Sequence, residues 1–253
     1  MYSIFDIFKV SIGPSSSHTM GPMIAGKHFR DLLSKKNLDL KIDKVEAKLF
    51  GSLAFTGKAH GSEKGIVLGL SGFNPETIST KQIKQVISTV KRTHSINISD
   101  KNKIQFDFED SIYFDRKTPP RGHSNTLEII AYQKDQKILK RIYHSVGGGF
   151  VRVKGERKRF ALPQKSPYEF DSCDELMAIC KQTKLNIDEL TMKNELENLS
   201  KTELRRKILD IWSVMDECVE NGLKTEGVLD GGLNVKRRAS KIHKMLTKSR
   251  KLD

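Results

Sequence analysis

Cysteine is scarce in this chain: Cys173, Cys180 and Cys218 are the three in 253 residues. An odd and sparse set excludes a disulfide framework and fits a reducing cytoplasm. Long apolar runs are missing too. No stretch reaches the roughly 18 residues that a membrane helix requires. The opening residues 1–10 lack a basic region, a sustained apolar core and a cleavage site, so no secretory signal is expected. Acidic residues fall short of basic ones, 31 against 45, which leaves a net charge of +14. Aromatics make up 7%. The basic clusters at 154–158 and 236–238 are short and carry few aromatics, so they read as solvated faces rather than a nucleic-acid surface. A positive field of this kind suits small acidic substrates.

Two regions differ in pattern. Residues 1–154 alternate strands and helices. Val45, Ala47 and Leu49 alternate with Lys44, Glu46 and Lys48, which predicts a strand over 41–50. Strands at 125–133 and 137–146 flank Lys134-Asp135-Gln136 and predict a hairpin. Ala25, Phe29, Leu32 and Leu33 share one face of a helix over 22–33, and Ile83, Val86, Ile87 and Val90 mark another over 80–92. This is an α+β domain with a mixed sheet and packed helices. Residues 155–171 are basic, contain Pro163 and Pro167, and read as a linker. Residues 172–253 are helical only. Ser172 and Glu175 form an S-x-x-E start for a helix to about Cys180. Ser200 and Glu203 form another, for a helix with Leu204, Ile208, Trp212, Met215 and Val219 on one face, stopped by Asn221-Gly222. A last helix is expected over 238–248. So few helices bury little surface by themselves, and this segment calls for more protein to pack against.

Several loops carry chemistry-bearing residues. In Gly13-Pro14-Ser15-Ser16-Ser17-His18-Thr19-Met20-Gly21-Pro22, the proline suits the first turn of the next helix. Four hydroxyls fall near that helix start, whose exposed N–H groups and dipole favour a carboxylate or phosphate, and His18 adds a titratable group; an ordinary capped helix start is the competing reading. The segment Gly51–Gly61 follows a strand and presents Lys58 and His60 in a glycine-rich loop. It is not a phosphate-binding Walker loop, because Ser52 stands where a glycine is needed and Ala59 where Ser or Thr is needed. Arg121-Gly122-His123-Ser124-Asn125 precedes a strand, and Gly147-Gly148-Gly149 ends one, marking a tight turn or a close approach of a ligand or another backbone. Cys173 and Cys180 share a helix face among apolar positions and, with Cys218, read as buried structural cysteines rather than ligands.

Together and in this order, the segments resemble the iron–sulfur L-serine dehydratases (L-serine ammonia-lyases). The resemblance rests on Phe5–Lys9, Ile12–Thr19, Gly21-Pro22-Met23, Ala25-Gly26, Gly51-Ser52-Leu53, Thr56-Gly57-Lys58, His60, His123, Asn125 and Ser145–Phe150. In the helical part it rests on Met192, Asn194-Glu195, Trp212, Thr225–Leu229, Gly231-Gly232-Leu233 and Arg237-Arg238-Ala239. Ser124, Thr126, Glu63 and Asp230 depart from the family's pattern.

The resemblance implies the family's smaller beta domain, similar to the allosteric substrate-binding domain of some phosphoglycerate dehydrogenases, followed by the truncated opening of its catalytic domain. It implies deamination of L-serine to pyruvate and ammonia, in amino-acid catabolism and gluconeogenesis. A 4Fe-4S cluster is implied, with ligands outside this chain: Cys173, Cys180 and Cys218 do not match the family's cluster cysteines, so no metal ligand is assigned and the chain is expected to be inactive alone. The catalytic base is expected at His60 first, then His18 and His123. Substrate binding is expected at Ser15, Ser16, Ser17, Thr19, Lys58, Asn125, Gly147, Gly148 and Gly149. A separate catalytic polypeptide and a homodimer are the expected partners, with no nucleic acid and no membrane. The alternative is a non-catalytic, serine-binding regulatory module or a truncated remnant.

Overall fold

The computed structural model describes residues 2–156, 166–229 and 234–249. Most of the expected linker at 155–171 lies outside them, as does the turn Asp230-Gly231-Gly232-Leu233. The described chain runs α1 (Ile4–Ile7), a π-helical turn (Ser16–Met20), α2 (Gly21–Lys35), β1 (Lys44–Gly51), α3 (Ser52–Thr56), α4 (Ser62–Leu70), α5 (Thr80–Thr93), β2 (Ser95–Ser99), β3 (Asn102–Gln105), β4 (Ile112–Asp115), β5 (Asn125–Gln133), β6 (Gln136–Gly147), β7 (Phe150–Val153), then α6 (Cys173–Thr183), α7 (Ile187–Leu196), α8 (Lys201–Lys224) and α9 (Ala239–Ser249). A mixed sheet with packed helices is therefore followed by helices alone, as the pattern predicts. Contacts divide the residues into two units, one over 10–156 and one joining 2–9 to 166–229 and 236–249.

In the first unit the sheet order is β4-β1-β5-β6-β7, with β1 parallel to β4 and the other neighbours antiparallel. Val45, Ala47 and Leu49 of β1 are fully buried, and Leu127, Ile129 and Ala131 of β5 join them under the helices. The polar alternates face away, as expected of an antiparallel sheet solvated on one side. The β5–β6 hairpin turns at Lys134 (φ 48°) and Asp135 (φ 65°). Two left-handed residues in a two-residue loop give the primed turn whose twist matches the strands.

Helix α2 buries Met23, Ala25, Phe29 and Leu33, each contributing roughly 1.5–3 kcal/mol where a large side chain is fully buried. It lies against α4 at backbone contact. A Cβ at Gly69 would stand 2.0 Å from the Met23 carbonyl oxygen, one at Gly65 2.5 Å from that of Thr19, and one at Gly26 2.8 Å from that of Ile66. Helix α4 is absent from the sequence reading. Its apolar run is short and buried nearly all round, so it shows no amphipathic period.

In the helical unit, Glu195 is buried and ties α1 to α7: it accepts from Ser3 Oγ and from Ile4 N, both at 2.8 Å. Its neighbour Asn194 clasps Tyr168, accepting from its N at 3.0 Å and donating to its O at 2.9 Å. Two expectations need correction. Helix α8 does not stop at Asn221-Gly222 but runs to Lys224, where the Lys224–Glu220 ion pair (2.7 Å) spans the last turn; an interior glycine weakens a helix by about 1 kcal/mol without ending it. The cysteines are not buried either. Cys173 and Cys218 are exposed and Cys180 is half-buried, because their helix faces have no covering partner among the described residues. The same holds for Ile208, Trp212, Met215 and Val219, all exposed on α8.

Gly69→Ala is expected to destabilise the first unit by about 3 kcal/mol, since the new methyl meets backbone rather than a movable side chain. Gly222→Ala, with open space around it, is expected to stabilise α8 by about 0.5–1 kcal/mol. Urea denaturation of the two variants checks both signs.

Candidate functional site

The serine-rich segment forms a π-helical turn, not the first turn of an α-helix. Ser15 caps it, its Oγ accepting from His18 N at 3.1 Å. Single π turns of this kind recur at functional sites. Ser16 opens the turn and is exposed. Two carbonyl contacts tie the turn to the start of α4: Thr19 Oγ1 donates to His60 O at 2.7 Å, and Ser62 Oγ donates to His18 O. Thr19 is buried, and its oxygen also accepts from Ser15 N at 3.3 Å. Its hydroxyl is thus committed to holding the turn in place.

These ties bring His18 and His60 together, with ring centroids 5.2 Å apart. The ring nitrogens differ in what they hold. His60 Nδ1 lies 2.8 Å from the Thr56 carbonyl oxygen. A carbonyl only accepts, so Nδ1 carries the proton and Nε2 is the basic nitrogen. His18 sits between two hydroxyls, Ser17 Oγ at 2.9 Å from Nδ1 and Ser52 Oγ at 3.0 Å from Nε2. A neutral ring then accepts from one serine and donates to the other. Burial first, and the adjacent His60 second, hold the His18 pKa below its ordinary 6.5.

Beside this pair lies a cleft of about 460 Å³, lined among others by Pro14, Thr19, Lys58, His60 and Glu63. Burial raises the pKa of Glu63, against the opposing pull of Lys58. The segment expected as a glycine-rich loop contains the helical turn α3, and Lys58 projects from the short connection after it.

Gly147, Gly148 and Gly149 all have positive φ (98°, 56° and 76°), which L side chains adopt only under strain. A Cβ at Gly149 would stand 2.7 Å from the Met20 side chain, so this turn packs directly on the serine turn. Ser145 strengthens the join, its Oγ donating to Ser17 O at 2.8 Å. Asn125 Nδ2 donates to Ser145 O at 3.2 Å, while Asn125 Oδ1 is buried without a hydrogen-bond partner. Asn125 also pairs across the sheet with Gly51, next to Ser52. His123 belongs to a different pair. Its Nδ1 accepts from Asn125 N at 3.0 Å, and its ring lies 6.3 Å from that of His144. Since a backbone amide occupies that nitrogen, the ring proton of neutral His123 is on Nε2.

Sequence reasoning gave no role to Ser52, Ser62, Thr126 or His144. Ser52 lies inside the Gly51–Gly61 segment and Ser62 directly follows it, and a serine beside a glycine was the available signal. His144 offered none, being one polar residue in a strand. Among the described residues, no three His, Cys, Asp or Glu side chains are placed to hold a metal ion, and the three cysteines do not meet. The described residues therefore do not fit an iron–sulfur cluster. No helix among the described residues is long and apolar enough to cross a membrane.

His144, like His18, has its pKa lowered, by burial first and then by His123, Lys154 and Arg152. Both rings are expected to titrate below 6.5 in a proton-resolved NMR titration. The unfolded chain then binds more protons than the folded one between each folded pKa and about 6.5. The stability contributed by the neutral rings is complete above that value and is lost as the pH falls. His60→Ala removes the second cause acting on His18 and should raise its midpoint; an unchanged midpoint would refute the coupling.

Comparison with known proteins places this geometry. The family model described as serine dehydratase beta chain matches residues 3–156, and that of the serine dehydratase alpha chain matches residues 182–252. L-serine dehydratase 1 of Escherichia coli is 39% identical over 100% of this chain and 56% of its own length. The L-serine dehydratase of Streptomyces coelicolor is 36% identical over 96% and 54%, and that of Helicobacter pylori 33% over 98% and 54%. The chain spans about half the length of the curated relatives it matches. With the beta-chain model covering the whole region that carries the paired histidines, the serine turn and the glycine turn, the chain belongs to the serine dehydratase family.

Proposed function

We propose that this chain supplies the substrate-binding and proton-transfer part of an L-serine dehydratase, which converts L-serine to pyruvate and ammonia. The observation that carries the reading is the tautomer of His60. With its proton on Nδ1 and held by the Thr56 carbonyl, the ring presents Nε2 as its accepting nitrogen beside a cleft of about 460 Å³. A neutral imidazole is suited to general-base work near neutral pH. His18, saturated by two serine hydroxyls, and His123, whose Nδ1 is already occupied, suit the task less.

In this reading His60 Nε2 takes the α-proton of serine. Loss of the β-hydroxyl as water leaves an enamine, whose imine tautomer is hydrolysed to pyruvate and ammonia. Lys58 and the Ser15, Ser16 and Ser17 hydroxyls, with the backbone of Gly147, Gly148 and Gly149, hold the carboxylate. Asn125 Oδ1, buried without a donor, takes the ammonium. Thr19 acts through the His60 backbone as a positioning residue. The 4Fe-4S cluster that the family resemblance implies has its ligands in polypeptide beyond these residues. In this reading residues 1–154 supply the serine-handling domain, 155–171 the linker and 172–253 the start of the catalytic half, with residues 2–9 joined to the helical unit. Turnover then requires the rest of the relatives' length. A homodimer in a reducing cytoplasm, with its three thiols free, completes the reading.

The test has two arms. L-serine is expected to raise the melting temperature of the chain, and Asn125→Ala to abolish that rise. In enzyme reconstituted anaerobically with the remaining polypeptide, His60→Ala is expected to lower kcat by about 10²–10⁴ with KM little changed. Undiminished turnover would remove His60 as the base.

A further inference from the structure

The helices cover one face of the five-stranded sheet, and the other face carries a second cleft. Cross-strand register sets Glu128 beside Ile142 and Ile130 beside Lys140, and Lys154 N donates to Ile142 O at 2.8 Å. Strand alternation therefore puts Thr126, Glu128, Lys140, Ile142 and Lys154 on the face opposite the core residues Leu127 and Ile129. The loop through Thr118, Pro119 and Arg121 closes over this face and leaves a cleft of about 220 Å³ with Phe50 and Ile142 in its lining.

Its charges do not balance. Glu128 engages Lys140 at 2.6 Å. Arg121 and Lys154 also line the cleft, and neither has a carboxylate partner among the described residues. Two unpaired cations lining one small cleft repel each other, and an anion between them relieves that repulsion. The guanidinium is shaped to take two oxygens of one carboxylate or phosphate, and the ammonium adds a point charge. We propose that this cleft is a second ligand site, binding a small organic anion with a phosphate or carboxylate group between Arg121 and Lys154 and its carbon skeleton against Phe50 and Ile142.

The site is separate from the one assigned to serine. Thr126 Oγ1 donates to His123 O at 2.6 Å and so accepts from His144 Nδ1 at 2.9 Å. Its neighbour Asn125 faces the other way, toward Ser145. One peptide unit of β5 thus separates the two.

Calorimetric titration of the full chain at low ionic strength, with inorganic phosphate and citrate as probes, tests the proposal. One saturable site is expected for at least one probe, and which probe binds identifies the oxyanion. Arg121→Ala and Lys154→Ala, both at exposed positions, should each weaken binding about tenfold or more, the equivalent of one charge-assisted hydrogen bond. Their melting temperatures should stay at that of the parent chain. Lys84→Ala, on the exposed face of α5, should leave the affinity unchanged. Binding of neither probe overturns the proposal. So does equal weakening by Lys84→Ala, which marks the general field of the +14 chain, or loss of binding in His60→Ala alone, which places the anion in the other cleft. A concentration-dependent dimer broken by Arg121→Ala would overturn it as well, by assigning the face to a second copy.

Discussion

The contact of α2 with α4 at backbone distance governs the first unit. Gly26, Gly65 and Gly69 have no room for a methyl group, so the two helices touch along their main chains. That approach brings the Thr19 carbonyl against Gly65 and carries the serine turn to the start of α4. The hydrogen bonds from Thr19 to the His60 carbonyl and from Ser62 to the His18 carbonyl are then short cross-ties between two elements already in contact. The two histidines are paired by main-chain geometry, with their own side chains left for other partners.

The rings consequently differ in chemistry although they are neighbours. A carbonyl fixes the His60 tautomer. Two hydroxyls, free to donate or accept, surround His18 and leave its tautomer reversible. The kind of oxygen facing each nitrogen separates them. His123 and His144, on the far side of Asn125, lack that contrast: an amide fixes one ring, and a threonine whose proton is given to the His123 carbonyl fixes the other.

Much of this fold is legible in the sequence. The β1 alternation, the hairpin at Lys134-Asp135 and the face of α5 follow from periods of two and of 3.6 residues. The serine turn, the Lys58–His60 segment and the glycine turn stand out because their residue types are costly or reactive. Other features have no local signature. Helix α4 hides because a buried helix is apolar on every side, and the π turn hides because its extra residue reads like any capped start. That Ser145 meets Ser17, or that Arg121 and Lys154 line one cleft, depends on strand order, which periodicity does not encode. The cysteines misled because their apolar surroundings imply burial only when something lies over them.

The bare face of α8 has a practical side. Trp212, the single tryptophan of the chain, stands there with 60% of its surface in water. Its fluorescence therefore comes from one place and reports one event, free of background from other indoles. Any polypeptide that covers the Ile208–Val219 stripe moves that emission toward the blue, so burial of this face carries its own optical signal.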